Sequence, residues 1–124
     1  MEKFRFRNFP VYKQSHQFRR EVKILSREQF PIAERHCLSA QLWRALDSVI
    51  FNIAEGSARG TDKDFAHFLN TAHASLSEVV ACLDAAHQDG YITAELLECY
   101  VSKAGELADQ LVSFRTWLLT QPSK

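Results

Sequence analysis

The sequence predicts an all-α protein, an antiparallel up-down-up-down four-helix bundle. Four segments repeat apolar residues at spacings of three and four, as amphipathic helices do, and no segment shows the sustained alternation of a strand. The breaks between these segments are short, and most contain proline or glycine. Four helices of about 20 to 28 residues with such loops pack most simply as an antiparallel bundle. Helices are expected over residues 10–28, 31–57, 62–89 and 93–120 of a single domain that spans residues 1–124.

The first two helices are defined by their apolar stripes. The first begins at Pro10, which suits a first helical turn, and its stripe is Val11, Ser15, Phe18, Val22 and Leu25. The second is expected to open at Pro31, and its stripe is Leu38, Leu42, Ala45 and Val49. Asn52 and Gly56 continue the same heptad phase, so an amide and a glycine fall on core positions.

The third and fourth helices carry capping signals as well. Thr61 with Asp64 three residues later resembles a capping box, and Gly90 suits the position after a helix end. Thr93 is the expected N-cap of the fourth helix, with Ile92 placed as a hydrophobic staple. The third stripe is Phe65, Leu69, Ala72, Leu76, Val79, Leu83 and Ala86. The fourth is Leu97, Tyr100, Ala104, Leu107, Leu111, Phe114 and Leu118.

The composition is that of a soluble globular protein, with 46% hydrophobic and 24% charged residues. No apolar run approaches the roughly 20 residues that span a bilayer, and the first ten residues lack the apolar region of a signal peptide. We therefore expect a cytoplasmic protein without membrane contact. The three cysteines, Cys37, Cys82 and Cys99, lack metal-ligand or redox spacing and are expected to be small buried hydrophobic residues.

Charge is distributed unevenly, although the net charge is zero. Residues 1–30 hold eight Lys or Arg against three Glu, a net +5, whereas residues 61–124 hold four bases against nine acids, a net −5. The basic end indicates either phosphate contacts or charge balance against the acidic half, within or between subunits. The candidate nucleic-acid-binding residues are Arg5, Arg7, Lys13, Arg19, Arg20, Lys23 and Arg27. Phe4, Phe6 and Phe9 either stack on unpaired bases or belong to an arm that packs on its own or a neighbouring bundle.

The helices also have second faces that are small or polar. An isolated four-helix bundle needs one apolar stripe per helix, and mid-helix Gly105 costs about 1 kcal/mol relative to Ala, so we expect these faces to contact other subunits. A buried polar network on these faces is a candidate, because buried polar groups need partners. Its members, with the glycine of the same motif, are Arg44, Ser48, Asn52, Glu55, Gly56, Arg59, Ser75 and Glu78. The alternative is that Glu55 and Arg59 form an ordinary exposed pair.

Catalytic and cofactor signatures are absent from the sequence. It has no phosphate-binding loop, dinucleotide fingerprint, nucleophile elbow or HExxH motif. Two Asp-x-x-His pairs, at Asp64 and at Asp84, lie on the same helix about 30 Å apart, so they cannot share one dinuclear metal centre. We expect no enzymatic activity, no cofactor and no bound metal.

Three stretches resemble a known family: FPVYKQS, FPIAERHCLSAQLWRALDSVIFNIAEGSARG and DFAHFLNTAHASLSEVVACLDAAHQDGYI. They resemble the small bacterial four-helix bundle proteins named after open reading frames in 23S ribosomal RNA intervening sequences. NIAEG is the most specific element. Members are similar to the accessory variability protein of diversity-generating retroelements, a barrel-like homopentamer that binds nucleic acid and its reverse transcriptase.

The resemblance implies a non-enzymatic homo-oligomer with five subunits. The positions carried over are Gln41, Arg44, Ala45, Ser48, Asn52, Ile53, Ala54, Glu55, Gly56, Arg59, Ser75 and Glu78. Trp43 and Asp47 depart from the pattern, which commonly has a basic or polar residue and a small apolar residue there.

Together these observations predict an oligomeric binding protein whose partner is RNA or DNA, or a nucleic-acid-processing protein such as a reverse transcriptase. The alternative is a protein-interaction scaffold in which the basic helix meets an acidic surface and no nucleic acid takes part.

Overall fold

The computed structural model describes residues 3–122, which fold into four α-helices and contain no strand. Glu2 and Lys124, which contribute to the charge gradient, lie outside the described residues. A short 3-10 turn, Arg5–Asn8, precedes the first helix, and a second, Ile32–Glu34, precedes the second helix. The four helices are α1 (Pro10–Gln29), α2 (Leu38–Ser57), α3 (Asp62–Gln88) and α4 (Ala94–Leu119).

The helices form a bundle in which each helix packs on two neighbours. The contacts between α2 and α3 and between α3 and α4 are the most extensive, and α1 closes the bundle against α2 and α4. Within residues 3–122 the diagonal pairs, α1 with α3 and α2 with α4, make no close backbone contact. The all-α prediction is therefore confirmed.

One hydrophobic core lies between the four helices. All five predicted stripe residues of α1 and all seven of α3 are buried. The largest fully buried side chains are Leu42, Leu46, Ile53, Leu69, Leu83, Leu111, Val22 and Val79. Hydrophobic periodicity places the core because the buried face of a helix repeats every three to four residues.

Local capping chemistry sets the ends of α3 and α4. The backbone N–H of Asp64 donates to Thr61 Oγ1 at 3.1 Å, and that of Leu96 donates to Thr93 Oγ1 at 3.2 Å. Gly90 follows α3 with φ +79°, a left-handed conformation that glycine adopts without steric cost.

The start of α2 differs from the prediction. The sequence predicts a helix from residue 31, whereas α2 begins at Leu38. The Glu34 carboxylate explains this boundary, because it accepts the backbone N–H of Leu38 at 3.3 Å and the Tyr91 hydroxyl at 2.7 Å. A side chain outside the helix thus caps it. The hydrogen bond from the Tyr91 hydroxyl to the Glu34 carboxylate raises the pKa of Tyr91 to about 12.

The cysteine prediction is correct for Cys82 and wrong for the other two. Cys82 is buried, and this burial, with Glu78 nearby, raises the pKa of its thiol. Cys37 is exposed because it precedes the true start of α2, and Cys99 is exposed on α4. Helical spacing alone did not separate these environments.

Candidate nucleic-acid interface

Three basic side chains lie in a row on α1, beside the apolar stripe that faces the core. Arg19, Lys23 and Arg27 follow one another at intervals of four residues, so their Cα atoms are about 6 Å apart. Below, these three residues are called the cationic row. Arg20 lies next to the row and is exposed.

Two side chains of α2 hold the cationic row. The Nε of Arg19 donates to Asp47 Oδ1 at 2.6 Å. One helical turn earlier on α2, the Trp43 ring lies 4.3 Å from Lys23 Nζ and 4.9 Å from Arg27 Cζ, measured to the ring centroid. Both are cation–π distances.

The row is a region of crowded positive charge. Partial burial, and then repulsion by Arg19 and Arg27, lower the pKa of Lys23, although Asp47 opposes this. Burial and Arg19 also lower the pKa of His16, one turn earlier on α1. Among residues 3–122, Asp47 is the acid that forms an ion pair with this face. An anion bound to the row would relieve the repulsion.

The other predicted basic residues lie away from the row. Arg5 and Arg7 are exposed on the first 3-10 turn, where the Arg5 guanidinium lies 6.0 Å from the centre of the Phe9 ring. Lys13 is exposed near the start of α1. The structure therefore brings together Arg19, Arg20, Lys23 and Arg27 of the seven candidates.

The N-terminal phenylalanines pack mainly on their own bundle. Phe9 stacks 6.3 Å from Phe65, and Phe6 meets the edge of Tyr12 at 5.0 Å, both measured between ring centroids. Phe4 contacts Phe6 and is otherwise exposed. Of the two alternatives, Phe6 and Phe9 therefore belong to an arm that packs on its own bundle, and their rings are not free to stack on bases.

Part of the predicted polar network is present between α2 and α3. Ser75 Oγ donates to the Thr71 carbonyl at 3.1 Å, so the hydrogen bond of 2.7 Å between Ser48 and Ser75 takes its proton from Ser48. Asn52 Nδ2 donates to Ser48 Oγ at 3.0 Å and to the Ser48 carbonyl at 2.8 Å. The result is a continuous relay of hydrogen bonds across the interface.

The remaining network candidates are placed differently. Arg44 and Glu55 are exposed, and neither forms an ion pair among residues 3–122. Glu78 accepts a hydrogen bond from Gln41 Nε2 at 3.3 Å, and the Arg59 guanidinium lies 4.8 Å from the centre of the Phe68 ring. The alternative, an exposed Glu55–Arg59 ion pair, is not formed in the described part of the chain either.

Gly56 is buried where α2 approaches α3. A Cβ at this position would lie 2.6 Å from Phe68 Cβ and 2.9 Å from Phe65 Cδ1. Both distances are shorter than side-chain contacts in proteins, so glycine permits this approach. The glycine of the NIAEG motif has a packing role.

Sequence reasoning missed the two α2 residues that hold the row. The sequence identifies Trp43 and Asp47 only as departures from the pattern of a similar family. Their i, i+4 spacing places them on one face of α2, and this much can be predicted from the sequence. Which α1 residues they meet depends on the relative position of two helices, which periodicity does not give.

Neither a cluster of metal ligands nor a membrane-spanning helix is found in the part of the chain that the structure describes. Across residues 3–122, no three His, Cys, Asp or Glu side chains are grouped as metal ligands would be. None of the helices in that range is both long and apolar enough to cross a bilayer.

The fold and the basic face define a small helical-bundle protein with a cationic surface on its first helix. The chain belongs to the 23S rRNA-intervening sequence protein family, whose sequence model matches residues 7–113. It is also similar to a solved protein of unknown function from the S23 ribosomal protein family of Bacteroides thetaiotaomicron VPI-5482. That similarity has a TM-score of 0.73 and 27% identity, and covers 85% of this chain and 97% of the other. The comparison with curated proteins gives no match.

Proposed function

We propose that this chain is a non-enzymatic binding protein whose ligand is structured RNA, held by phosphate contacts on α1. The observation that carries the proposal is the cationic row with Arg20 beside it. Of these four cations, Arg19 forms an ion pair, with Asp47. Arg19 bonds to Asp47 through Nε, so its terminal Nη groups are not used by this ion pair. The reference to 23S rRNA in the family's name agrees with an RNA ligand.

Phosphate contacts have a characteristic dependence on salt. A nucleic acid releases condensed counterions when basic side chains neutralise its phosphates, so the affinity falls as salt is added. Four contacts predict a loss of about 100-fold between 50 and 200 mM salt. The net charge of zero does not oppose this mechanism, because the contacts depend on local charge density.

The test is a titration of a fluorescent RNA hairpin at 50 and 200 mM salt. We expect binding at the lower salt and a steep loss at the higher one. Arg20→Glu should weaken binding at least tenfold, whereas Lys63→Glu, an equal charge change at an exposed position on α3, should change it little. An absence of binding by the wild-type protein at the lower salt would overturn the proposal.

The same titration excludes or supports the rival partner, an acidic protein surface. Poly-glutamate supplies repeated carboxylates without phosphates or bases. If it displaces the hairpin as well as unlabelled hairpin does at equal charge concentration, the RNA proposal is wrong. If it competes at least tenfold less well, phosphate geometry contributes to recognition.

We also propose that the helices run up-down-up-down and that the chain forms a homo-oligomer of five subunits. Residue numbers rise on one helix as they fall on its neighbour in the pairs Arg19–Asp47 and Ser26–Trp43, and in Glu21–Lys103 and Gln14–Gln110. This supports antiparallel neighbours.

Two faces without partners support the assembly. Phe51 on α2 is 61% exposed, and on α4 a Cβ at exposed Gly105 would meet no atom within 4 Å. Because α2 and α4 do not touch each other, these are two separate patches, and a head-to-tail contact between subunits joins two different patches. Light scattering during size exclusion should give a mass several times that of one chain, and a monomer at micromolar concentration would contradict the assembly.

A polar network buried within the assembly is part of the same proposal. Asn52→Leu should lower the melting temperature or change the mass, because Asn52 donates into the relay that reaches Ser75. An unaltered melting temperature together with an unaltered mass would show that Asn52 is dispensable.

A further inference from the structure

The cations of α1 are held in place from α2. Trp43 and Asp47, one turn apart on α2, contact all three residues of the cationic row. Lys and Arg side chains are otherwise long and mobile, and the entropic cost of ordering each one on binding opposes the affinity. Contacts that already order these side chains in the free protein reduce that cost.

The Trp43 ring is itself fixed. Its Nε1–H donates to Ser26 Oγ at 2.9 Å, and Ser26 Oγ donates to the Lys23 carbonyl at 2.8 Å. Ser26 is buried, so water does not compete for these bonds. Through Ser26, the indole therefore connects α2 to the backbone carbonyl of Lys23, and the same ring contacts the Lys23 ammonium group.

We propose that Trp43 and Asp47 are positioning residues that arrange the cationic row as a preformed edge for the sugar-phosphate backbone of double-stranded RNA. This inference rests on the proposed function and specifies its ligand. Three cations at intervals of about 6 Å match a polyanion with regularly repeated charges better than a single anion. Duplex RNA holds its phosphates in a regular helical geometry, whereas those of an unstructured strand must be ordered on binding.

The geometry opposes recognition of unpaired bases at this face. Base stacking needs a free aromatic surface, and two cations lie within 5 Å of the centre of the Trp43 ring. Trp43 therefore acts through Lys23 and Arg27 and does not contact the ligand.

The crowding of charge gives an independent readout. The pKa of Lys23 is lowered in the free protein, and a phosphate placed on the row would raise it by favouring the ammonium form. The pKa of Lys23 can be followed by NMR of the side-chain ammonium group with and without RNA.

The experiment compares a 16-base-pair RNA duplex with a single-stranded oligouridine that has the same number of phosphates. The wild-type protein should bind the duplex more tightly. Trp43→Leu should weaken duplex binding about fivefold to tenfold, as expected when two side chains must be ordered on binding. Trp43→Phe keeps an aromatic ring and should recover most of the affinity. Trp117→Leu is the matched control, an exposed tryptophan on α4 away from the cationic row, and should bind as the wild type does.

Each outcome decides the inference. If the wild type binds neither RNA, the proposed function and this inference both fail. If it binds the duplex and Trp43→Leu binds equally well, the inference is wrong while the proposed function stands. If the oligouridine binds more tightly than the duplex, the inference is wrong, and of the proposed function only the phosphate contacts stand. A Lys23 pKa unchanged by the duplex would also contradict it. Should Trp43→Leu fail to fold, as judged by circular dichroism, Trp43→Met takes its place because methionine fills irregular apolar sites.

Discussion

The two sides of this bundle are held together in different ways. Where α2 meets α3, the contact relies on a buried glycine and a relay of short polar side chains. Where α1 meets α2 and α4, long charged and amide side chains join the helices above an apolar stripe, as in Arg19–Asp47, Lys103–Glu21 and Gln110–Gln14.

The two kinds of interface have different roles: the α2–α3 interface contributes to the geometry of the bundle, and the charged side of α1 carries the proposed binding surface. Close packing leaves little freedom, so the α2–α3 interface fixes the geometry of the bundle. Exposed ion pairs contribute little to stability, since water and salt screen them, but they keep charge at the surface. We infer that the charged side chains of α1 are accessible to a ligand.

The largest expected effect is a substitution of Gly56. Gly56→Ala places a Cβ 2.6 Å from Phe68 Cβ, so α2 and α3 must separate. We expect the free energy of unfolding to fall by about 1–3 kcal/mol, as for overpacked cores, measured by urea denaturation. Gly60→Ala is the matched control: no atom lies within 4 Å of its Cβ and its φ is not positive, so stability should change little or rise by up to about 1 kcal/mol. Equal stability of the two variants would show that the α2–α3 interface is not tightly packed.

The next effect concerns the serine pair at that interface. Ser48→Ala and Ser75→Ala should each cost about 1 kcal/mol, because each removes the hydrogen bond between the two hydroxyls. The double variant should lose less than the sum of the single losses, since the second substitution has no shared bond left to remove. Strict additivity in thermal denaturation would argue against the relay.

A serine on α1 should behave in the opposite way. Ser15 is 2% exposed, and in the described residues its hydroxyl has no hydrogen-bond partner. Ser15→Ala removes an unsatisfied buried hydroxyl and improves helix propensity, so stability should rise by up to about 1 kcal/mol. A lower melting temperature would mean that the hydroxyl has a partner in the assembled protein.

The smallest effect is that of the ion pair between α1 and α4. The hydrogen bond from Lys103 lowers the pKa of Glu21, and Glu21 raises that of Lys103. The contribution of Glu21 is complete above its unfolded value of 4.5 and is lost as the pH falls through the lower folded value. That of Lys103 is complete below 10.5 and is lost as the pH rises through the higher folded value.

Lys103→Gln should therefore lower stability by less than about 1 kcal/mol at neutral pH, as exposed pairs do. The difference from the wild type should vanish in strong acid, where Glu21 is protonated. Urea denaturation in steps from pH 7 to pH 2 checks this prediction, and a difference that stays constant over the whole range would contradict it.

The sequence predicted features that depend on local chemistry. The α1 and α3 stripes follow from helical period, and the Thr61 and Thr93 caps follow from side chains that bond three residues away. The phase of α2 also placed Gly56 and Asn52 on core positions, and in the structure Gly56 is buried and Asn52 is half-buried.

The features that sequence reasoning missed depend on distant parts of the chain. The start of α2 is set by Glu34, whose other partner is Tyr91. The partners of the cationic row follow from the relative rotation of α1 and α2, which places Trp43 and Asp47 against the row. Arg44 and Glu55 were grouped by spacing on one helix, but neither meets an opposite charge within residues 3–122.

The most direct test of the binding account is the slope of log affinity against log salt for an RNA duplex, measured for the wild type and for Arg20→Gln. With about four phosphate contacts, the wild-type slope should be close to −3.6, and the variant slope should be smaller in magnitude by about one. A slope near zero, or one that Arg20→Gln leaves unchanged, would contradict the claim that α1 binds phosphates.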